Sequence, residues 1–327
     1  MKAIRIERTG GPEVLQPAEI DAPGEPGPGE VRVRHHACGV NFIDIYHRTG
    51  LYPVPLPAVL GCEGAGIVEA VGPGVTHVAP GDRVAYATTK LGSYAEARLV
   101  PATPVVKLPD SIDFPRGAAM MLKGLTVQYL LRRTRPQRPL QPGDHILWHA
   151  AAGGVGLIAC QWANALGLKL IGTAGSDEKC ALALRYGAAA AINYRTQDVA
   201  KTVRELTGGK GVSVVYDSVG KDTWEISLDC LEPLGLMVSF GNASGAVPPV
   251  ALGQLAQKGS LYVTRPTLGT HMATREAAQE MTADLFGMVT SGRIVIDEPR
   301  SHPLATAADV HRELESRATT GACVLVP

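Results

Sequence analysis

A glycine-rich turn within residues 145–156 separates a short apolar run from an amphipathic segment, and it constrains the fold more than any other feature of the chain. The run 146–148 is typical of a buried strand. Behind the turn, apolar residues recur with helical spacing at Val155, Ile158, Ala159, Trp162, Ala163 and Leu166. In the Gly-x-Gly-x-x-Gly pattern of dinucleotide-binding units, Ala151 replaces the first glycine, while Gly153 and Gly156 hold the other two places. Because such a turn brings backbone N–H groups and a helix N-terminus to a pyrophosphate, the sequence predicts a dinucleotide-binding domain.

Strand and helix patterns alternate from residue 144 onwards. The predicted strands lie near residues 145–149, 168–172, 190–193, 212–216, 236–240 and 260–264. The predicted helices lie near residues 155–166, 177–186, 197–206 and 222–231. This alternation is typical of a parallel sheet that helices cover on both faces, so we predict the α/β class with a Rossmann doubly wound parallel sheet.

The segments on either side of this sheet have different patterns. Up to residue 124 the chain is rich in short alternating runs and Gly/Pro turns, which indicates a β-rich unit. Outside the predicted sheet, helices are expected over residues 122–131, 275–290 and 306–316. Since no nucleotide-binding unit is left to complete after residue 274, we expect the tail, which ends in a strand, to return to the first domain. We therefore predict a catalytic domain over residues 1–124, a dinucleotide-binding domain over 125–268 and a return segment over 269–327.

Composition and charge exclude several classes of protein. Of the 327 residues, 45% are hydrophobic and 19% are charged, as in ordinary globular proteins. The 31 basic and 31 acidic side chains balance, so no net field favours nucleic acid or an anionic membrane surface. No apolar run is long enough to span a membrane, and the N-terminus lacks the apolar region of a signal peptide. The six scattered cysteines include no Cys-x-x-Cys pair and suit reduced thiols, so we expect a cytoplasmic protein without nucleic-acid or membrane partners.

The residues behind the second predicted strand favour NADPH over NADH. An NAD-binding sheet carries a carboxylate here for the ribose 2′-OH, and residues 171–176 contain none. Asp177 and Glu178 follow, where acidic side chains favour the N-terminus of the next helix. Ser176 and Lys179 offer a hydroxyl and an ammonium group to a 2′-phosphate; the alternative is a helix-capping serine and a solvated lysine. We therefore predict NADPH as the cofactor.

Motifs spread over the whole chain resemble those of a known family. They include Gly10-Gly-Pro-Glu-Val-Leu15, Gly39-Val-Asn-Phe-Ile-Asp-Ile-Tyr46, Gly61-Cys-Glu-Gly-Ala-Gly66, Lys123-Gly-Leu-Thr126, Tyr216-Asp-Ser-Val-Gly220 and Ser239-Phe-Gly-Asn242. With these motifs the sequence resembles the zinc-free quinone oxidoreductases of the medium-chain dehydrogenase/reductase superfamily, the branch that includes zeta-crystallin. The resemblance implies a GroES-like, β-rich catalytic domain built from both chain ends, a Rossmann cofactor domain and a cleft between them. It also implies a homodimer in which the strand near residues 261–264 pairs with its counterpart.

The resemblance also implies which residues contact the cofactor. They are Asn41, Tyr129, Gly153, Gly154, Val155, Gly175, Lys179, Tyr194, Ser218, Phe240, Asn242, Arg265 and Arg317. Ser176 joins this set because of the local chemistry described above. Tyr194 can flank the 2′-phosphate by stacking and hydrogen bonding, and Lys179 can do so by charge. The alternative for Arg317 is an ordinary surface cation at a helix end.

The metal ligands of zinc-dependent relatives are replaced in this sequence. Asn41 stands where those relatives have a ligand cysteine, and Cys62 stands where they have a histidine, while Glu63 remains. Residues 88–94 are too few for the lobe that would carry four structural cysteines. We expect Cys62 to be a small buried residue. Without a Lewis acid an alkoxide is poorly stabilised at neutral pH, so we predict no metal site and disfavour alcohol oxidation.

An activated acceptor needs no metal, because a quinone or an enone spreads the charge of an added hydride onto oxygen. The predicted catalytic residues are Asn41, Tyr46 and Tyr52, since aromatic rings stack on a flat quinone and phenols bind its oxygens. The alternative for both tyrosines is packing at the rim of the site. The first hypothesis is an NADPH:quinone oxidoreductase with a small-molecule quinone substrate. The second is an NADPH-dependent enone or 2-alkenal reductase, and the third is a binding protein regulated by NADPH, although no basic, aromatic-rich patch supports RNA binding.

Overall fold

The structure is a computed structural model that describes residues 1–135, 137–316 and 320–327. Its strands are β1 (Lys2–Ile6), β2 (Gln16–Glu19), β3 (Glu30–Gly39), β4 (Ala58–Val59), β5 (Glu63–Val71), β6 (Arg83–Ala87), β7 (Ala97–Pro101), β8 (Val106–Lys107), β9 (His145–Trp148), β10 (Lys169–Ala174), β11 (Ala190–Asn193), β12 (Val212–Asp217), β13 (Leu231–Ser239), β14 (Tyr262–Thr264), β15 (Arg300–Pro303) and β16 (Cys323–Val326). Its helices are α1 (Phe42–Thr49), α2 (Phe114–Arg133), α3 (Gly154–Ala165), α4 (Asp177–Arg185), α5 (Val199–Leu206), α6 (Trp224–Cys230), α7 (Leu252–Gln257), α8 (Leu268–His271), α9 (Arg275–Thr290) and α10 (Ala307–Glu315). Short 3₁₀ turns lie at Pro12–Val14 and Leu304–Thr306.

The chain divides into two compact units. The terminal unit, named because it contains both chain ends, is formed by Met1–Leu125, His271–Thr290 and Ile296–Pro327. The central unit is formed by Thr126–Thr270 and Ser291–Val295. No helix of the described chain is both long enough and apolar enough to cross a membrane.

The terminal unit is built around the long strand β3. This strand pairs antiparallel with β5 along one edge, and with β7 and then β16 along the other. Val31 and Val33 are buried while Arg32 and Arg34 are not, which confirms the alternating pattern of an amphipathic strand. A separate core in this unit combines side chains from both chain ends, including Ile4, Ile6, Leu60, Tyr94, Val310 and Leu325.

The central unit contains a six-stranded parallel sheet with the order β11-β10-β9-β12-β13-β14. The chain leaves β9 for β10 and β11 on one side, and then crosses to β12, β13 and β14 on the other. The strand order therefore reverses at β9 and β12, where sheets of this type bind their ligands. Every residue of β12 is buried, as expected for a strand covered on both faces. The predicted fold class, a Rossmann doubly wound sheet with a second, β-rich unit, is confirmed.

Most predicted elements of the central unit agree with the structure to within one or two residues, but two boundaries differ. Helix α2 begins at Phe114 rather than near residue 122. Asp113 Oδ1 accepts a hydrogen bond of 2.7 Å from Arg116 N, and Pro115 suits the first turn of a helix, so the helix starts early. Strand β13 begins at Leu231 rather than near 236, because Leu231 already pairs with Val212 of β12 before the pairing is interrupted and resumes at Leu236.

Candidate cofactor and catalytic sites

The glycine-rich turn joins β9 to α3 in the central unit. Helix α3 begins at Gly154, and the extended backbone of Gly153 leads into it, so the first N–H groups of the helix are available at its N-terminus. A Cβ atom at Gly156 would lie 2.4 Å from the carbonyl oxygen of Ala151 and 2.6 Å from that of Ala150. Only glycine fits this close contact between turn and helix. The turn and the helix N-terminus therefore fit the pyrophosphate of a dinucleotide.

Residues predicted to bind a 2′-phosphate lie where β10 and β11 end. A Cβ atom at Gly175 would lie 2.6 Å from Tyr194 Oη, so this glycine lets the phenol lie against the backbone. Tyr194 is 47% exposed. Ser176 caps helix α4 by accepting a hydrogen bond of 3.3 Å from Lys179 N. This capping role was the alternative for Ser176.

The two acidic residues at the start of α4 have other partners. Asp177 Oδ1 accepts a hydrogen bond of 2.7 Å from Asn193 Nδ2, at the end of the neighbouring strand. Backbone N–H donation at the helix start, supported by the Ser176 hydroxyl, lowers the pKa of Glu178. Both acidic residues lie in the first turn of α4, where the sequence predicts them, but the Asp177 carboxylate binds the end of β11 and only Glu178 receives a backbone N–H of the helix start.

Arg195 lies on the same edge of the sheet and was not among the residues predicted from the sequence. Its Nε lies 3.6 Å from the position of a Cβ atom at Gly175. A second cation thus lies close to the backbone of Gly175, directly before Ser176. Arg195 directly follows Tyr194 in the sequence, and this position beside a predicted phosphate contact could have identified it as a candidate.

The remaining predicted cofactor residues of the central unit follow the other strands. Ser218, Phe240, Asn242 and Arg265 come directly after, or close to, the ends of β12, β13 and β14. Arg265 Nη1 donates hydrogen bonds of 2.8 Å to Ser239 Oγ and 3.0 Å to the carbonyl oxygen of Gly241. The Phe240 ring packs 5.5 Å from the ring of buried Trp148. Parallel strands end at a common edge, so these residues lie on the same side of the sheet as the glycine-rich turn.

A buried network that the sequence did not reveal supports this edge. His149 lies 2.9 Å from Thr173 Oγ1 through Nδ1 and 3.0 Å from Ser227 Oγ through Nε2. Ser227 donates a hydrogen bond of 2.8 Å to Asp217 Oδ2. Burial lowers the pKa of His149. The neutral imidazole therefore donates from Nε2 and accepts at Nδ1, and it ties together the ends of β9, β10 and β12.

Tyr129 and Arg317 are also predicted to contact the cofactor. Tyr129 is buried in α2, and this burial raises the pKa of its phenol to about 12. Arg317 lies outside the described residues.

The predicted catalytic residues of the terminal unit lie on one stretch of chain around α1. Asn41 precedes the helix, and its backbone N–H donates a hydrogen bond of 2.9 Å to Asp44 Oδ2. Tyr46 is within the helix and is buried, whereas Tyr52 follows it and is half-buried. The two rings pack edge to face with their centroids 5.2 Å apart. Packing, the alternative for both tyrosines, is therefore part of their role, and Tyr52 has the more accessible ring.

The side-chain amide of Asn41 lies between two charged groups. Lys123 Nζ donates a hydrogen bond of 2.8 Å to Asn41 Oδ1, and Asn41 Nδ2 donates one of 2.8 Å to Glu63 Oε2. Lys123 Nζ lies 3.7 Å from Glu63 Oε2. Burial raises the pKa of the Glu63 carboxyl, and the charge of Lys123 opposes this shift. Lys123 belongs to one of the motifs quoted above, but the spacing of the sequence does not reveal its partners.

This arrangement does not fit a zinc site. The side chains of Asn41 and Glu63 bind each other, and the ammonium group of Lys123 lies beside them. Cys62 is buried, and burial raises the pKa of its thiol well above the usual range, so the thiolate that binds zinc is disfavoured. Among residues 1–135, 137–316 and 320–327, no three His, Cys, Asp or Glu side chains are grouped to hold a metal ion.

Comparison with protein families identifies both units. Residues 27–110 match the family described as the alcohol dehydrogenase GroES-like domain, and residues 154–284 match the family described as zinc-binding dehydrogenase. A GroES-like domain combined with a Rossmann sheet defines the medium-chain dehydrogenases/reductases.

Individual relatives narrow this class. A quinone oxidoreductase of Pseudomonas aeruginosa is 58% identical over 327 residues, which cover 100% of this chain and 99% of the relative. A 2-haloacrylate reductase of a Burkholderia species is 45% identical, with 99% of this chain and 98% of the relative covered. The crystal structure of Escherichia coli quinone oxidoreductase complexed with NADPH has a TM-score of 0.96 and 53% identity, and 100% of each chain is covered. The chain belongs to the quinone oxidoreductase family, as the sequence resemblance indicates.

Proposed function

We propose that this protein is an NADPH:quinone oxidoreductase that works without a metal ion. Family membership supports the activity, and the solved Escherichia coli relative is complexed with NADPH. The cluster of Asn41, Glu63 and Lys123 carries the metal-free part of the proposal. Asn41, which stands at the position of one zinc ligand, is bound to Glu63 and Lys123 instead, so the acceptor must itself be electron-poor.

We assign cofactor binding to the carboxyl edge of the central sheet. The N-terminus of α3 faces the pyrophosphate, and Ser176, Lys179 and Tyr194 face the 2′-phosphate. NADPH, when bound, supplies a hydride from its nicotinamide ring. The other predicted contacts are Asn41, Tyr129, Gly153, Gly154, Val155, Gly175, Ser218, Phe240, Asn242, Arg265 and Arg317.

We assign acceptor binding to the terminal unit, at the loop and helix that carry Asn41, Tyr46 and Tyr52. An electron-poor quinone needs alignment with the cofactor more than chemical activation. The half-buried Tyr52 offers an aromatic ring with a hydroxyl group at its edge, and the Asn41 amide offers to an acceptor oxygen the one Nδ2 hydrogen that Glu63 does not use.

Kinetics with matched acceptors tests this activity against the second candidate. The relative named 2-haloacrylate reductase favours an alkene conjugated to a carbonyl or carboxylate as the alternative acceptor. We expect kcat/KM with 1,4-benzoquinone to exceed that with a 2-alkenal or with 2-chloroacrylate. Equal or better turnover of either alkene would transfer the assignment to the second candidate.

Chelation tests the absence of a metal. Dialysis against EDTA should leave the rate of quinone reduction unchanged. A loss of rate that added zinc restores would contradict the proposal. The same dialysis also removes copper or iron, and the total metal content of the protein is measured before and after it.

We also propose a homodimer formed through β14. This strand lies at the end of the central sheet, and Tyr262 and Val263 are 61% and 41% exposed. A second copy could pair with this edge and cover both side chains. Light scattering should give twice the chain mass. Val263→Lys should reduce the measured mass, whereas Val295→Lys, at another exposed apolar residue of the same unit, should not.

The six free cysteines are all buried, which suits a reducing compartment such as the cytoplasm.

A further inference from the structure

The Asn41 amide has one orientation that suits both of its charged neighbours. Lys123 carries hydrogen-bond donors only, so it requires the amide oxygen, and an ionised Glu63 accepts only, so it requires the amide nitrogen. Turning the amide over would place N–H groups against an ammonium and oxygen against a carboxylate. Lys123 and Glu63 therefore determine the orientation of the Asn41 amide, with Oδ1 towards Lys123 and Nδ2 towards Glu63.

The two charged groups are themselves held in place. Glu63 Oε1 accepts a hydrogen bond of 2.7 Å from Leu122 N, and Lys123 Nζ donates one of 3.3 Å to the carbonyl oxygen of Val40. A Cβ atom at Gly39 would lie 2.2 Å from Glu63 Oε2, so glycine leaves the space that the carboxylate occupies. Because all three side chains of the cluster are buried, water screens these contacts little.

We propose that Lys123 is a positioning residue for the reaction and acts through Asn41. Its ammonium draws electron density from the amide, so the Nδ2 hydrogen that Glu63 does not use becomes a stronger donor. That hydrogen is directed at a carbonyl oxygen, either on the nicotinamide carboxamide or on the quinone. The inference rests on the proposed function.

A double-mutant cycle tests this inference. Asn41→Ala, Lys123→Met and the double variant are compared with wild type by kcat/KM for 1,4-benzoquinone at saturating NADPH. We expect each single variant to lose about tenfold, the effect of one charge-assisted hydrogen bond, and the double variant to lose no more than Asn41→Ala alone. Lys123→Arg should recover part of the loss because it keeps the positive charge. Lys107→Met, which removes a lysine from an exposed ion pair with Asp82 in the same unit, should have no effect.

Binding measurements without turnover distinguish the two sources of the carbonyl oxygen. NADPH affinity is measured by fluorescence titration, and 1,4-benzoquinone affinity by calorimetry with the NADP⁺ complex. Both single variants should weaken the binding of the same ligand. That ligand is NADPH if the oxygen is on the carboxamide, and the quinone if the oxygen is on the acceptor. A double variant that loses the product of the single losses, about a hundredfold, would overturn the inference, as would unchanged binding and kinetics in Lys123→Met.

A second variant keeps the inference testable if Lys123→Met does not fold. Asn41→Asp retains an oxygen for Lys123 and removes the amide hydrogens, so it should lose as much as Asn41→Ala. Full activity in Asn41→Asp would overturn the inference. Failure of the proposed function would be seen separately, because wild type itself would then not reduce the quinone.

Discussion

Arg48 and Glu315 form a two-pronged ion pair across 267 positions of the sequence, which joins α1 to α10 within the terminal unit. Arg48 Nη2 lies 2.6 Å from Glu315 Oε1, and Nη1 lies 3.1 Å from Oε2. The arginine side chain is 1% exposed and the glutamate side chain 35%. The helix that carries Tyr46 is therefore anchored by a residue close to the C-terminus.

The same arginine begins a buried chain of hydrogen bonds. Arg48 Nη1 lies 3.2 Å from His311 Nδ1, and His311 Nε2 lies 3.0 Å from Tyr94 Oη. Tyr94 donates to Asp44 Oδ2 at 2.9 Å. Burial lowers the pKa of His311 to about 3, so its neutral ring accepts from Arg48 and donates to Tyr94. The chain returns to the first turn of α1, beside Asn41.

Loss of the Glu315 charge should lower the stability of the protein. Glu315→Gln leaves the buried Arg48 without a countercharge, and we expect the free energy of unfolding to fall by about 1–2 kcal/mol. This loss is smaller than that for a fully buried ion pair, because Glu315 is partly exposed to solvent. Urea unfolding followed by circular dichroism measures the change. Glu313→Gln, on the same helix in an exposed pair with Arg300, is the matched control and should change little. Equal losses in both variants would contradict the anchor.

Asp44 should make stability depend on pH. Burial raises the pKa of its carboxyl to about 7, while hydrogen bonds from Asn41 and Tyr94 oppose the shift. An unfolded aspartate titrates near pH 4, so between about pH 4 and 7 the folded protein holds a proton that the unfolded chain has lost. The contribution of Asp44 is thus complete below about pH 4 and is lost as the pH rises towards 7. Relative to Asp44→Asn, wild type should become less stable in urea unfolding from about pH 5 to 8, whereas parallel profiles would disprove the shift.

Lys179 should discriminate NADPH from NADH. Lys179→Ala removes the ammonium assigned to the 2′-phosphate, so we expect the Kd for NADPH to rise about tenfold and that for NADH to stay the same. Fluorescence titration measures both constants. Lys201→Ala, at an exposed position of helix α5, is the control and should affect neither. If wild type binds both cofactors equally, the 2′-phosphate assignment fails.

Gly156 should tolerate no side chain. Its Cβ would meet two carbonyl oxygens at 2.4 and 2.6 Å, so Gly156→Ala must displace either the turn or the start of α3. We expect loss of NADPH binding and a lower melting temperature. Gly287→Ala places a methyl group at an exposed position of helix α9 with no heavy atom of its described surroundings within 4 Å, and should raise stability by about 0.5–1 kcal/mol. Normal cofactor affinity in Gly156→Ala would refute the close-contact role.

Local patterns accounted for the central unit because helices and strands impose short periods on the sequence. The predicted α4 begins at Asp177 in the structure, where Ser176 caps it, and β11 spans the predicted residues. The early start of α2 depends on a capping Asp113 and Pro115, a signal that was present in the sequence. The break in β13 depends on pairing with β12, and the sequence of one strand does not contain that information.

Site residues, too, were predictable where the signal is local in the sequence, and not where it depends on contacts between distant segments. The glycine-rich turn, the missing carboxylate in residues 171–176 and the replacement of zinc ligands by Asn41 and Cys62 could be identified in the sequence alone, because each is a matter of residue type at a given position. Only the tertiary structure decided that Lys123 bonds Asn41 across 82 positions and that Arg48 pairs with Glu315. Such partners meet because separate strands and helices pack together, and packing geometry leaves no periodic trace in either segment.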